Sequence, residues 1–199
     1  GQTEGTFVKL PYSKKLFGVP DNVYLIGTMN TADRSIATID TALRRRFHFK
    51  EMQPNPNVLE NVIVEGISIK ELLTRINLKI SALYDREHTI GHAYFTKLKE
   101  NPTIEMLASI FENSIIPLLQ EYFYEDYEKI RLVLGDNNKE EQYQFITAKA
   151  TNYTALFGNT DFEMDDIFHY EINPSAFYHI ESYQYIYLNP RSLNDENNI

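Results

Sequence analysis

Apolar residues along this chain fall into patterns of three kinds. Near the start, Phe7-Val8-Lys9-Leu10 is long enough for an edge strand, and Pro11, Pro20 and Asp21 punctuate the loop around it. Val23-Tyr24-Leu25-Ile26-Gly27-Thr28-Met29 is a continuous, β-branched and apolar run. Such a run predicts a buried strand, central in a parallel sheet whose two faces are both covered. Ile36, Ile39 and Leu43 then share one face of a short amphipathic helix. That helix runs into Arg44, Arg45 and Arg46, and a second short apolar run, Phe47-His48-Phe49, follows.

Pro54 and Pro56 end the sheet-like part and predict a hinge-like connector. The period then turns helical. Ser68-Ile69-Lys70-Glu71 has the form of a capping box, and Ile69, Leu72, Leu73, Ile76, Ile80 and Leu83 recur behind it. Together they predict a helix of about four turns. Residues 85–98 interrupt the period, with Gly91 between His88 and His92. Asn101-Pro102 predicts the next helix start, with Asn as cap and Pro at the first position. Its stripe runs from Ile104 to Tyr122, with a kink or break expected at Pro117. Tyr127, Ile130 and Leu134 continue helically up to Gly135.

Beyond residue 139 the runs become short, aromatic and β-branched: Phe145-Ile146, Tyr170-Glu171-Ile172, Phe177 to Ile180 and Tyr185 to Leu188. These predict two to four short strands or an irregular arm, and Ser192 to Ile199 is polar enough for a disordered end. The fold class that follows is α/β. The tail of an α/β sheet occupies residues 1–56, a helical subdomain 57–136, and a β-rich or irregular C-terminal arm 137–199.

Composition narrows the function classes. A hydrophobic share of 43% and a charged share of 24% are ordinary for a globular chain. No apolar run approaches the roughly 18 residues of a membrane span, and the polar start does not resemble a signal peptide. Cysteine is absent from the sequence, which excludes disulfides and thiolate metal sites and fits a cytoplasmic location. The formal net charge of −9 argues against this segment as the main surface that grips DNA.

Candidate chemistry gathers where the Val23–Met29 strand would end, at Asn30, Thr31, Asp33 and Arg34. Open α/β sheets bind ligands at the carboxyl ends of their strands. The bland reading of Asn30 is a helix cap, and of Asp33 with Arg34 a local ion pair. Three arginines at a helix end can be a solvated, dipole-favoured terminus. An acidic run at Asp161 to Asp166 lacks the Gly and Glu that a calcium loop needs at its sixth and twelfth positions, so it is rejected as a metal site.

The residues Gly27-Thr28-Met29-Asn30-Thr31-Ala32-Asp33-Arg34-Ser35, followed by Asp40-x-Ala42-Leu43-Arg44-Arg45-Arg46-Phe47, closely resemble the second half of an AAA+ module of the McrB-type GTPases. These are motor subunits of modification-dependent restriction systems. Ile90-Gly91-His92-Ala93-Tyr94-Phe95 and Ile116 to Phe123 resemble the lid motifs of the same family, so the likeness spans roughly residues 5–136. By that resemblance the sheet tail belongs to an AAA+ sheet, and the helical subdomain is its lid. Asn30 is then sensor 1, oriented at the attacking water or terminal phosphate. Thr31, Asp33 and Arg34 lie in the guanine-biased signature, and Arg44 and Arg45 are candidates for fingers reaching a neighbouring subunit's nucleotide. His92 stands where AAA+ lids carry a second sensor, commonly an arginine; a structural role for it stays open.

The resemblance further implies GTP (or ATP) and Mg²⁺ in a complete module, a ring of identical subunits, and a separate nuclease subunit. DNA would be met through the assembled complex. The phosphate-cradling string G-x-x-x-x-G-K-[ST] does not occur in these residues. The chain alone is therefore expected to be inactive and to hold no nucleotide tightly, as a fragment or truncated product would. Two other readings remain at this stage: part of an AAA+ protein-remodelling ATPase, and a non-catalytic interaction module derived from the motor.

Overall fold

The computed structural model describes residues 7–29, 45–150, 158 and 168–188. They belong to two units, 1–41 and 42–199.

In the first unit, β1 (Val8–Lys9) pairs antiparallel with β2 (Leu16–Phe17), Val8 opposite Phe17 and Lys9 opposite Leu16. The expected edge strand is thus one arm of a tight hairpin, closed by Leu10 N–H donating to the Lys15 carbonyl at 2.9 Å. Lys14 takes φ +58° in the turn. Val23–Met29 departs from expectation. It forms no strand, and Ile26 is 94% exposed. A buried parallel strand requires partners on both edges and cover on both faces. Among the described residues no neighbour supplies either, so β-propensity alone leaves the run unpaired.

The second unit is helical, and its first elements follow from local chemistry. Asn55 caps a 3₁₀ turn over Pro56–Leu59, its side chain accepting from the Asn57 N–H. A hairpin of β3 (Ile63–Val64) and β4 (Ile67–Ser68) closes through Glu65 and Gly66, both at positive φ, the geometry a two-residue turn demands. Helix α1 (Ile69–Leu83) starts where the capping box places it, with Ser68 Oγ accepting the Glu71 N–H. The return half of the box is made differently: the Ser68 N–H donates to the Tyr187 hydroxyl at 3.3 Å. Ile69, Leu72, Leu73, Ile76 and Ile80 are all fully buried, as their spacing predicts.

Helix α2 (Ile104–Ile110) is capped by Thr103, whose hydroxyl accepts from the Met106 N–H, and not by Asn101. The break expected around Pro117 is realised one turn earlier. Residues Phe111–Ile115 widen into a π-helical turn, and α3 (Ile116–Tyr122) resumes with Pro117 in its first turn. There the missing N–H of proline costs least. Helix α4 (Tyr127–Leu134) is capped by Asp126 and stopped by Gly135 in the left-handed conformation at φ +76°.

The C-terminal runs divide. Phe145-Ile146 leads into β5 (Ile146–Ala150), which pairs antiparallel with β6 (Phe168–Ile172) from Ile146 opposite Ile172 to Ala150 opposite Phe168. Phe177 instead lies in a 3₁₀ turn over Pro174–Tyr178, and Tyr185 to Tyr187 lie in helix α5 (Ile180–Tyr187). Phe145, Phe177, Tyr183 and Ile186 join the same hydrophobic core as α1 to α4. Within it Phe111 is the hub of an aromatic cluster. Its ring stacks on Phe145 at 5.5 Å and meets Tyr183 and Phe95 edge-on at 4.9 and 6.2 Å. No helix among the described residues is long and apolar enough to cross a membrane.

Candidate functional site

Residues 30–44 lie outside the described residues, and with them Asn30, Thr31, Asp33, Arg34 and Arg44 and the short helix expected there. Arg45 and Arg46 are described. They form an exposed turn, and the following Phe47 and Phe49 are about half exposed and in no strand. Solvent access suits a guanidinium that has to reach another molecule, and it equally suits a plain surface turn.

From this turn the connector 47–55 runs without regular structure to the 3₁₀ turn at Pro56. Contacts from Glu51 and then Asn55 hold it to the helical subdomain. The Glu51 carboxylate pairs with the Arg86 guanidinium. Hydrogen bonds from Arg86 first, and from the Gln53 amide, hold its carboxyl below the usual range. Both partners are well exposed, so this pair steers more than it stabilises. The second contact is directional: the Asn55 N–H donates to Nδ1 of His92 at 3.1 Å. That bond requires Nδ1 to be the unprotonated ring nitrogen, with the proton on Nε2.

His92 opens a 3₁₀ helix, His92–Lys99, whose Phe95 and Leu98 are fully buried, so the ring is carried on a rigid base. Gly91 before it takes φ −69° and ψ 142°, an ordinary extended conformation, and a Cβ there would meet nothing within 4 Å. Glycine is not needed at 91 for backbone reasons.

Nearby groups that sequence reasoning passed over are well defined. Asp85 accepts the backbone N–H groups of Glu87 and His88, at 2.8 and 3.0 Å, and the His88 ring at 2.8 Å. Burial raises its carboxyl, but the hydrogen bonds from His88 and Glu87 outweigh that and leave it lowered. The His88 ring is wedged edge-on against Tyr84 and Tyr122, at 4.3 and 5.0 Å. Asn77 fastens the same loop, exchanging two hydrogen bonds with the backbone of Ile90 at 2.7 and 2.9 Å. The loop bearing His92 is therefore fixed on both sides by side chains of the lid itself.

Open depressions on the described surface include the following two. One of about 620 Å³ lies along Glu140, Thr147, Lys149, Glu171 and Asn173. Another of about 430 Å³ lies along Tyr94, Lys97, Met106, Ile110 and Asn113. Neither is lined by Arg45 or His92. No metal-ligand cluster of His, Asp and Glu occurs among the described residues.

Comparison with known proteins places these observations. Residues 68–131 match the family model described as McrB, alpha-helical lid domain. The match begins at the Ser68 cap of α1 and ends inside α4. The chain is also 38% identical, over 156 aligned residues, to the Type IV methyl-directed restriction enzyme EcoKMcrB subunit of Escherichia coli (strain K12). That alignment covers 67% of this chain and 34% of the relative, so the chain spans about a third of the length of the curated protein it matches.

Proposed function

This chain is the C-terminal part of a McrB-type AAA+ module with its helical lid, and from that premise we propose that it serves a GTP-preferring, nucleotide-hydrolysing motor of a restriction system. The observation that carries the reading is the 38% identity to a restriction-enzyme subunit, taken with the lid match over residues 68–131.

In this reading Asn30 orients the attacking water, since its amide both donates and accepts. Thr31, Asp33 and Arg34 shape the nucleotide side of the same loop. Arg44 or Arg45 reaches the neighbouring subunit's nucleotide, where a guanidinium offsets developing charge and supplies about 10³–10⁵ in rate. Arg45 stands in an exposed turn, as a residue acting on another subunit must. The phosphate-cradling string does not occur in these residues. GTP and Mg²⁺ would therefore be held mainly by other parts of a complete module, to which this segment adds groups on the reacting side. A ring of identical subunits, and a separate nuclease that cleaves the DNA, follow from the same reading. Cytoplasmic location does too.

The test is hydrolysis of GTP against ATP by the complete module, with Asn30→Ala, Arg44→Ala and Arg45→Ala variants. The expected result is GTP preference, loss in Asn30→Ala and in one arginine variant, and recovery when those two inactive variants are mixed. Mixing pairs an intact Asn30 with an intact arginine across one interface. Equal use of ATP, or activity indifferent to all three substitutions, would overturn the reading and leave a remodelling ATPase or an interaction module.

A further inference from the structure

We propose that His92 is a positioning residue which, through its Nδ1 bond to the Asn55 backbone, couples the lid to the arginine-bearing turn at Arg45 and Arg46. The proposal rests on the motor reading above and adds to it a mechanical link.

The first fully buried residue after the arginines is Leu59. Held only there, Arg46 could lie anywhere within about 44 Å of its anchor, since an extended chain spans about 3.4 Å per residue. The Asn55–His92 bond shortens that tether to about 31 Å, and Glu51–Arg86 to about 17 Å, on the same measure. Both contacts attach the connector to one lid loop, 85–92, which is itself pinned by Asp85, Asn77 and the buried Phe95. Pro54 and Pro56 flank Asn55 and fix their own φ angles, so the connector bends little at its point of attachment. A rotation of the lid then carries Asn55 with it and shifts the space open to the arginine turn.

Direct contact between His92 and nucleotide would use the other ring nitrogen. Nδ1 is occupied by the Asn55 N–H, leaving Nε2–H as the ring's remaining polar group. The two roles therefore sit on different atoms, and amide substitutions tell them apart. The Oδ1 of asparagine takes roughly the place of Nδ1, whereas the end of glutamine takes that of Nε2.

The experiment measures steady-state GTP hydrolysis of the complete module carrying His92→Asn, His92→Gln or His92→Ala, with the melting midpoint and the Asn55 amide exchange rate of each. A positioning role predicts that His92→Asn keeps kcat near wild type. His92→Gln and His92→Ala would lower kcat, by up to about 10² for a misplacement near 1 Å, with KM unchanged. Amide exchange at Asn55 is then slow in wild type and His92→Asn and fast in the other two. If His92→Gln retains activity while His92→Asn raises KM, His92 contacts nucleotide and the proposal falls. If all three variants match wild type, it falls as well. A wild-type module that hydrolyses neither GTP nor ATP overturns the motor reading itself, an outcome distinct from an active wild type with an indifferent His92.

Discussion

Asp136 and Lys139 form an ion pair whose two side chains are both shut off from solvent, with Nζ 2.8 Å from Oδ1. The same carboxylate accepts the backbone N–H of Phe145 at 3.1 Å and of Ile146 at 2.9 Å. The ammonium lies 4.2 Å from the centre of the Phe145 ring. One acidic residue just after α4 thus fixes the entry of β5.

Replacing Asp136 by Ala strands a buried ammonium and two backbone donors. Breaking a buried pair by removing one partner costs about 3–5 kcal/mol. Urea unfolding of Asp136→Ala should show a loss of that order. A loss under about 1 kcal/mol would mean the loop rearranges to let water reach Lys139.

Stability should rise with pH from about 8 towards 10.5. Burial pushes the Lys139 ammonium down to about 8, against the pull of Asp136. Burial, then the neighbouring charges of Lys139 and Arg75, take Lys79 to about 8 as well. Both groups bind protons more weakly folded than unfolded, where the value is 10.5. Their contribution is therefore complete above the unfolded value and lost as pH falls through the folded one. Denaturation midpoints measured across this window should climb in wild type and climb less in Lys139→Met.

Two glycines at positive φ should respond differently to alanine. At Gly66, φ +86°, a Cβ meets nothing within 4 Å, so only backbone strain of about 1 kcal/mol is expected. At Gly135, φ +76°, a Cβ would stand 2.9 Å from the carbonyl oxygen of Tyr185, and that backbone belongs to α5. Thermal melts should rank Gly135→Ala well below Gly66→Ala.

Tyr183 tests the C-terminal helix. Its hydroxyl donates to the Phe177 carbonyl at 2.7 Å inside the core, and burial drives its phenol well above the usual range. Tyr183→Phe leaves that carbonyl unpaired and should cost about 1–3 kcal/mol. A chain cut after residue 144 should lose the cooperative unfolding transition of the lid, because Phe111 would face solvent where Phe145 and Tyr183 now pack. Retention of that transition would show the lid core to be complete without them.

The lid was readable because its signals are local. Ser68 with a 3.6-residue stripe, and Gly135 after Leu134, are decided within a few residues of themselves. The sequence places the next cap at Asn101, but it is the Thr103 hydroxyl that accepts from the Met106 N–H, and α2 starts two residues later. Tyr185 to Leu188 carries strand-like composition, yet α5 forms because Tyr183 and Ile186, three apart, both fill the core. Asp136 stands in the polar stretch Gly135 to Asn138, and no local pattern marks Lys139, three residues on, as buried. The Asn55–His92 bond joins residues on opposite sides of α1, which no periodicity could pair. Of the candidate site, the strand-end and arginine motifs were legible as strings, and only Arg45 and His92 fall among the described residues.

The shared core also sets an order of events during synthesis. Helix α1 is made early, but the residues that cover the Phe111 cluster, Phe145 and then Tyr183, leave the ribosome much later. At about 5–20 residues per second, the gap between Ile69 and Ile186 amounts to roughly 6–23 seconds. For that interval the nascent lid carries an open apolar face, a target for trigger-type holdases or for mispairing with a sister chain on the same message. Slowing translation after residue 145 should prolong the exposure and lower the soluble yield, with the finished protein unchanged.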